Sequence, residues 1–577
     1  MKRPGQGIRD RWRTRLAVLR ARPGRGPRAI VWGPESRGIG SARRGQLMLS
    51  GIWHLGGNLV EAPGANPWTI DPPSAPFEMQ IHGQGWLDDL LAADGHQVRA
   101  AAQEWVLDWV RRYGRGTGPG WDPALTGRRV LRWISHAPTL LQGMPPGDRA
   151  MWFAALYTQA NYLQRRWRDA PAGLPRIEAL TGLLHARLAL EGRAGAVPEA
   201  AAALIQAVTT DLGPEAGALP SRNPEALMEV AMLLGWCIDA LATRAEVPEG
   251  MREAQAAIIP TLRALRHADG GLARFHGGGR GRPGRLDRVL SRSGVRARNS
   301  TGLAMGFAPL MHGRTSVIVD AAPPPSGAAS GSAHASTLAF EMTSGPCPVI
   351  VNCGPGGGFG VEWHRAGRAT ASHSTLEIEG YSSSRIGAPI PQGHRLIAPL
   401  VQQPRRVQWQ ANASRRSSTI VMAHDGYGAS HGLTHLRRLV LSTDGRILAG
   451  EDSLRAVSRG DKDRFDDVQV GQKPHGVPFH IRFHLHPDTE AEIDLGGRAV
   501  SLGLPSGEVW IFRAGGDLRP TLEPSVHLEP GRLKPRPAEQ VVFSGRAVAY
   551  ATTVEWSLKL AQEAAPSPSG PQANPQN

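Results

Sequence analysis

Apolar residues recur at helical spacing through the first half of the chain and at alternating spacing through the second. From about residue 45 to about 267 the pattern predicts helices over 86–93, 96–113, 128–141, 149–168, 176–193, 198–212, 224–245 and 248–267, separated by Gly, Pro or Asp. The first pair breaks at Asp94-Gly95. The last three open on Pro198, Pro224 and Pro248, a residue suited to a first helical turn. Across 230–238 apolar residues fill one broad face, which predicts a buried helix. Periodicity alone therefore gives repeated helical hairpins.

From about Gly302 onward the pattern changes to strands. Residues 337–342, 349–354, 418–423, 436–441, 447–450, 480–486, 509–512 and 548–558 alternate or carry β-branched side chains, and Thr443-Asp444-Gly445 is a hairpin turn. Many short strands with no helices between them predict an antiparallel sandwich. Between the halves, 269–301 is Gly- and Arg-rich without period and reads as a flexible interdomain loop. The expected organisation is a basic, partly disordered segment over 1–44, a helical domain over 45–268, the loop over 269–301, a β-sandwich over 302–562 and a disordered tail over 563–577.

At 577 residues two large domains are expected. Cys237, Cys347 and Cys353 form no zinc-finger or disulfide spacing and read as small buried hydrophobes. The formal charge of +16 favours an anionic partner: an acidic polysaccharide, nucleic acid or a membrane surface. Much of that charge sits in the first 44 residues, at Arg9, Arg11, Arg13, Arg15, Arg20, Arg22, Arg25 and Arg28, with no nucleic-acid fold signature beside it, so nucleic acid is not expected. No run of about 18 apolar residues predicts a spanning helix. No secretory signal is readable, which leaves the cytoplasm as one location.

The one GxGxxG match, Gly279 to Gly284, does not follow a strand, and the one GxSxG match, at Ser430, has no helix after it. Nucleotide and serine-hydrolase chemistry therefore fall away. No spacing pairs Glu225, Glu229, Asp269 and Glu362 as glycoside hydrolysis requires.

The densest cluster of candidate chemistry runs from Arg314 to Gly380. It holds strand-Asp320, a Gly/Ser loop, His334-Ala335, a strand, Val351-Asn352-Cys353-Gly354, and Arg368-Ala369-Thr370-Ala371-Ser372-His373-Ser374-Thr375. This order resembles the heparinase II/III family of polysaccharide lyases. The resemblance extends from about Gly45 to about Leu560. It implies an N-terminal α/α toroid followed by a C-terminal antiparallel β-sandwich, an acidic, uronate-containing polysaccharide as partner, and an envelope or periplasmic location.

The activity so implied is β-elimination. That reaction needs a group on the sugar carboxylate, a base for the adjacent C–H and an acid for the leaving oxygen. The resemblance assigns Asn223 to the carboxylate, while its place before Pro224 equally suits plain N-capping, and Arg222 beside it fits either role. The segment 269–276 resembles the one that carries the family's tyrosine, but Phe275 and His276 stand there, so His276 is the candidate base and Tyr427 a remote phenol.

His334 and His373 resemble positions that hold a structural zinc, with Asn352 where the family has Asp. Ser332 and Ser336 stand at two further positions where the family has His and Asp. Metal binding, direct action on substrate and satisfied core histidines all remain open for His334 and His373. No cofactor is fixed by the sequence; a structural zinc is only what the resemblance implies. Trp363, Arg365 and Arg368 are candidates for stacking on a sugar and pairing with its acidic groups. His484 and His486 share a strand face and read as structural. Eleven of the 16 tryptophans precede Ala170 and read mostly as core. The rival to a lyase is a non-catalytic polysaccharide-binding or envelope-assembly protein on the same fold, and a hydrolase on a similar toroid is third. Oligomeric state is left open.

Overall fold

The computed structural model describes residues 8–24, 29–33, 40–212, 217–296, 302–392, 395–470 and 475–563. Its N-terminal half is helical. The main helices are Trp86–Ala92, His96–Tyr113, Pro123–Ser135, Ala137–Leu141, Pro146–Arg166, Leu174–Ala189, Val197–Asp211, Pro224–Arg244 and Glu249–Ala264. The single helix expected over 128–141 is two. Pro138, in the first turn of the second, has no N–H to continue the ladder, and His136 at the break bonds Asp88 at 2.9 Å. Asp122 starts the first of the two, its Oδ1 accepting from the N–H groups of Ala124 at 2.9 Å and Leu125 at 3.2 Å.

Apolar faces of successive helices build one core. Gly127 and Gly182 let Pro123–Ser135 and Leu174–Ala189 cross in near backbone contact, because a Cβ on Gly182 would meet the Gly127 backbone. The tryptophans form much of the interior. Trp53, Trp109, Trp133 and Trp152 are fully covered, and Trp133 stacks on Trp152 at 5.7 Å. The helix Pro224–Arg244 is long and apolar enough to cross a membrane, and over half of its apolar window is buried within this core.

Two segments depart from the sequence reading. The basic N-terminal segment contains helices Ile8–Ala21 and Ala42–Leu49, seated by Val18, Ala21 and Met48. The Gly/Arg-rich connector is not a flexible loop over its described residues, 269–296. Leu272, Ala273 and Phe275 are core residues, and Arg285–Arg292 forms a short helix held by Leu286, Val289 and Leu290. Its glycines allow close packing: a Cβ on Gly279 would press on Pro530. Residues 297–301 and the tail beyond Glu563 lie outside the described residues.

The C-terminal half is two antiparallel sheets face to face. One runs, edge to edge, Thr521–His527, Arg536–Ala547, Val477–Leu485, Cys347–Val351, Phe340–Ser344, Thr315–Asp320 and Phe307–His312, with Leu376–Ile378 pairing Val477–Leu485 off that path. The other runs Val407–Ala413, Ser417–Tyr427, Leu433–Ser442, Ile447–Arg455, Ala551–Gln562, Val509–Ala514, Ala499–Gly503 and Glu490–Asp494. The inner faces meet through Phe340 and Trp556, stacked at 5.9 Å, with Phe483 and Phe512 beside them. The turn at Thr443-Asp444-Gly445 stands as expected, with Gly445 at φ +72°. The halves also touch at a hairpin, where Gly57, at φ +78°, faces the Gly358 backbone without room for a Cβ.

Candidate functional site

At the seam between the halves, sequence-distant turns deliver their polar side chains to one buried layer. Strand Thr315–Asp320 is covered along its whole length and ends on Asp320. Helix Pro224–Arg244 begins beside it, preceded by Arg222, whose backbone is left-handed at φ 49°.

Five bonds fix the Arg222 guanidinium. It donates to Met305 O at 3.1 Å, Gly306 O at 2.8 Å, Ala322 O at 3.1 Å, Pro323 O at 2.8 Å and Asp320 Oδ1 at 2.5 Å, and it lies over the Phe307 ring at 4.5 Å. Burial alone would raise the Asp320 carboxyl, but Arg222, with help from His276 and Ser336, holds it down at about 2. Arg222 is therefore an interdomain clamp, its guanidinium committed to acceptors of the protein itself.

Asn223 caps the helix. Its Oδ1 accepts from the Ala226 N–H at 3.0 Å, and its Nδ2 donates to His276 O at 3.3 Å. The geometry shows Asn223 capping the helix, with the amide also tying down the connector. His276 is fully buried, at φ 48°, so it is not the mobile-loop base of the sequence reading. Its Nδ1 accepts from the His334 N–H at 3.2 Å, which puts its proton on Nε2, facing Asp320 Oδ2 at 3.5 Å.

The next two histidines continue the chain. His373 Nδ1 lies 2.7 Å from Ala369 O and must donate to it, leaving Nε2 as an acceptor. His334 Nδ1, 3.0 Å from that Nε2, is the donor, so the His334 lone pair sits on Nε2. That atom is buried and, among the described residues, has no hydrogen-bond partner. Burial, then the neighbouring His373, lowers the His334 pKa well below its usual value, and burial lowers His373 to about 4. Burial thus favours the neutral form of both imidazoles. Asn223, His276, His334 and His373 are thus brought together as one continuous contact chain.

The arrangement does not fit a metal. The two imidazoles bond each other, and Asn352 has Oδ1 occupied by the Ser374 N–H at 3.0 Å and Nδ2 directed to Glu341 at 3.4 Å. Among the described residues no group of three or more His, Cys, Asp or Glu side chains is placed to hold an ion.

Arg368 is not a free substrate ligand either. It is buried, donating to Ala333 O at 2.7 Å, Ala398 O at 2.8 Å and Ser330 O at 2.9 Å, and burial lowers it to about 10. Trp363 and Arg365, on the short helix Val361–Ala366, are exposed. Tyr427 is no missing phenol: it is fully buried and donates to Leu376 O at 3.0 Å. Phe275 packs on Phe307 at 4.9 Å, so the tyrosine-like segment ends in core.

Sequence reading missed a second ionic centre in the layer. Glu341 accepts from the Arg274 N–H at 2.9 Å and Nε at 3.2 Å, with His267 Nε2 at 3.5 Å. Burial would raise Glu341, but Arg274, aided by His267, holds it at about 2. The signal was present: a carboxylate inside the apolar strand 340–344 has to find a cation.

Comparison with known proteins fits this frame. The description "Heparinase II/III-like, C-terminal" matches residues 295–557. FtsZ-localized protein C of Caulobacter vibrioides is 30% identical over 540 residues, covering 90% of this chain and 88% of that protein. The chain belongs to the heparinase II/III-like family. In fold this heparinase II/III-like protein is similar to heparinase III, with a TM-score of 0.69 at 11% identity over 96% of this chain and 90% of that one. It is also similar to heparan sulfate lyase HepC from Pedobacter heparinus, with a TM-score of 0.53 at 14% identity over 96% and 88%. The structural likeness spans both halves, whereas the family description covers the sandwich and its approach.

Proposed function

We propose that this protein uses the heparinase fold as a non-catalytic scaffold of the cell envelope, acting at the division site and contacting acidic glycan rather than cleaving it. One observation carries the reading. The groups placed where elimination needs a free carboxylate binder and a phenolic base are committed to internal contacts, Arg222 and Arg368 to carbonyls and Asn223 to a helix cap, while Phe275 is core. The placement at the division site is supported by the relative whose name records FtsZ localisation. The glycan partner is supported by the lyase fold and by the charge of +16.

Ultraviolet absorbance during incubation with heparan sulfate, alginate and bacterial exopolysaccharides tests it, since elimination creates a conjugated double bond. A flat trace with binding retained is expected. The competing reading is β-elimination with His334 as base, and its unpartnered Nε2 favours it. A rise in absorbance that His334→Ala removes would establish that reading instead. A fluorescent fusion should form a band at mid-cell, and an even distribution would refute the division-site role.

A further inference from the structure

The two large sheets have four outer edges, and three of them carry the devices that keep a strand from pairing with a foreign one. Glu490–Asp494 presents Glu490, Glu492 and Asp494, Thr521–His527 contains Pro524, and Phe307–His312 contains Pro309. The fourth, Val407–Ala413, has no charged residue, no proline and no bulge. Its register with Ser417–Tyr427 runs unbroken from the pair Val407 and His424 to the pair Ala413 and Ser418. Gln408 to Ala413 are all exposed. In an antiparallel ladder alternate residues turn their N–H and C=O groups away from the partner, so about half of this strand's backbone groups face outward.

The side chains fit an added strand. Trp409 and Ala411 pair with the buried Met422 and Ile420, so they extend the inner face of the sandwich to its open end. Trp409 is 41% exposed there, with its ring near Gly302, where a Cβ would sit 4.0 Å from Cη2. Gln408 and Gln410 stand on the other face, beside Ala423 and Val421. A further strand would cover the open side of the indole and meet amides that both donate and accept.

Charge decides what that strand can be. Arg405 and Arg406 precede the edge, Arg415 and Arg416 follow it, and all four are exposed. Asp425, on the neighbouring strand, has its Oδ1 accepting from the backbone N–H groups of Arg405 at 2.8 Å and Arg406 at 3.1 Å. A second copy of this chain, pairing antiparallel about Gln410, would set Arg405 against Arg415 and so oppose like charges at both ends. A strand flanked by carboxylates would meet a pair of guanidinium groups at each end.

We propose that the edge Val407–Ala413 is a strand-addition site for an extended peptide whose core is flanked by acidic residues. The occupant joins the sheet by main-chain hydrogen bonds, and the arginine pairs fix its register. The inference does not depend on the interdomain site or on glycan binding.

The probe is a fluorescein-labelled peptide of alternating Thr and Val with a pair of Glu at each end, added to the full chain and followed by polarisation. It should bind, less tightly as salt is raised, and it should slow hydrogen exchange within 407–413. The same peptide N-methylated throughout its core should bind at least about ten-fold more weakly, because the ladder bonds cannot form. The combined variant Arg405→Glu, Arg406→Glu, Arg415→Glu, Arg416→Glu should reject the Glu-flanked peptide and accept a Lys-flanked one. Its melting temperature should stay at the native value, since these side chains are exposed. No binding by the native chain overturns the proposal, as does equal binding of the methylated peptide or protection only outside 407–413. Protection of 407–413 that grows with protein concentration in the absence of peptide, together with a sedimentation dimer, would assign the edge to a second copy and also overturn it.

Discussion

Single side chains at the seam differ sharply in what they hold. Removing Arg222 would leave the wholly buried Asp320 without its cation and take a donor from four carbonyl oxygens, of which Gly306 O keeps the Ala321 N–H. Arg222→Ala should cost about 3–5 kcal/mol in denaturant unfolding, and Arg222→Lys should recover little of it, since an ammonium cannot span the same fan of acceptors. Asn223→Ala removes a cap and the amide bond to His276 O and should cost about 1–2 kcal/mol; Asn223→Asp keeps the cap acceptor but loses that donor, so it should restore only part of the loss. A carboxylate-binding role predicts the reverse at this position: Asp would repel an acidic glycan, so glycan binding by Asn223→Asp separates the two. The sequence made Asn223, His276, His334 and His373 visible as a set, because each follows or precedes a readable element. It could not reveal their occupancy. Whether a guanidinium is free depends on carbonyls at residues 305, 306, 322 and 323, and backbone acceptors carry no sequence signature.

At the scale of elements, helices were legible where a proline marked the start or an Asp-Gly break separated two, and His96–Tyr113 has the bounds its periodicity gives. Strands with polar exposed faces were not. Val407–Ala413 lies at a sheet edge with nearly every residue exposed, so no alternation announces it. Helix Arg459–Gln469 was likewise missed among strands, although Ser458 and Asp461 form a capping box. The connector misled for a different reason: its glycines suggest mobility, but they serve close packing against Pro530 and the Asn223 side chain. A similar use of glycine lies in strand Ile447–Arg455, where Gly450 leaves room for the Trp556 ring. Gly450→Ala should destabilise by about 1–3 kcal/mol through overpacking, read as a lowered melting temperature, while Ala449→Gly should not reproduce the effect by the same route.

For the whole molecule, the buried histidines set the response to acid. His373 is held near 4, and His484 and His527 near 3, each chiefly by burial, against 6.5 for a free imidazole. Below pH of about 6.5 the unfolded chain takes up protons that the folded chain refuses, so stability falls with pH through that window. Asp320 and Glu341, held near 2 against ordinary values of 3.8 and 4.5, extend the loss as pH falls further. Denaturation midpoints should be level above about pH 7 and decline steadily from about 6.5 to 4. A level profile down to about pH 5 would contradict neutral burial of the histidines.

The Arg222 clamp also bears on how the chain is made. Arg222 leaves the ribosome well before its partners, because Asp320 lies 98 residues later. Until that strand emerges, the nascent helical half carries a cation at its future seam with no counter-charge and no carbonyl cradle. The half-made protein therefore has a reason to keep that surface open to water, and the seam can close only when the first strands of the sandwich arrive to complete it.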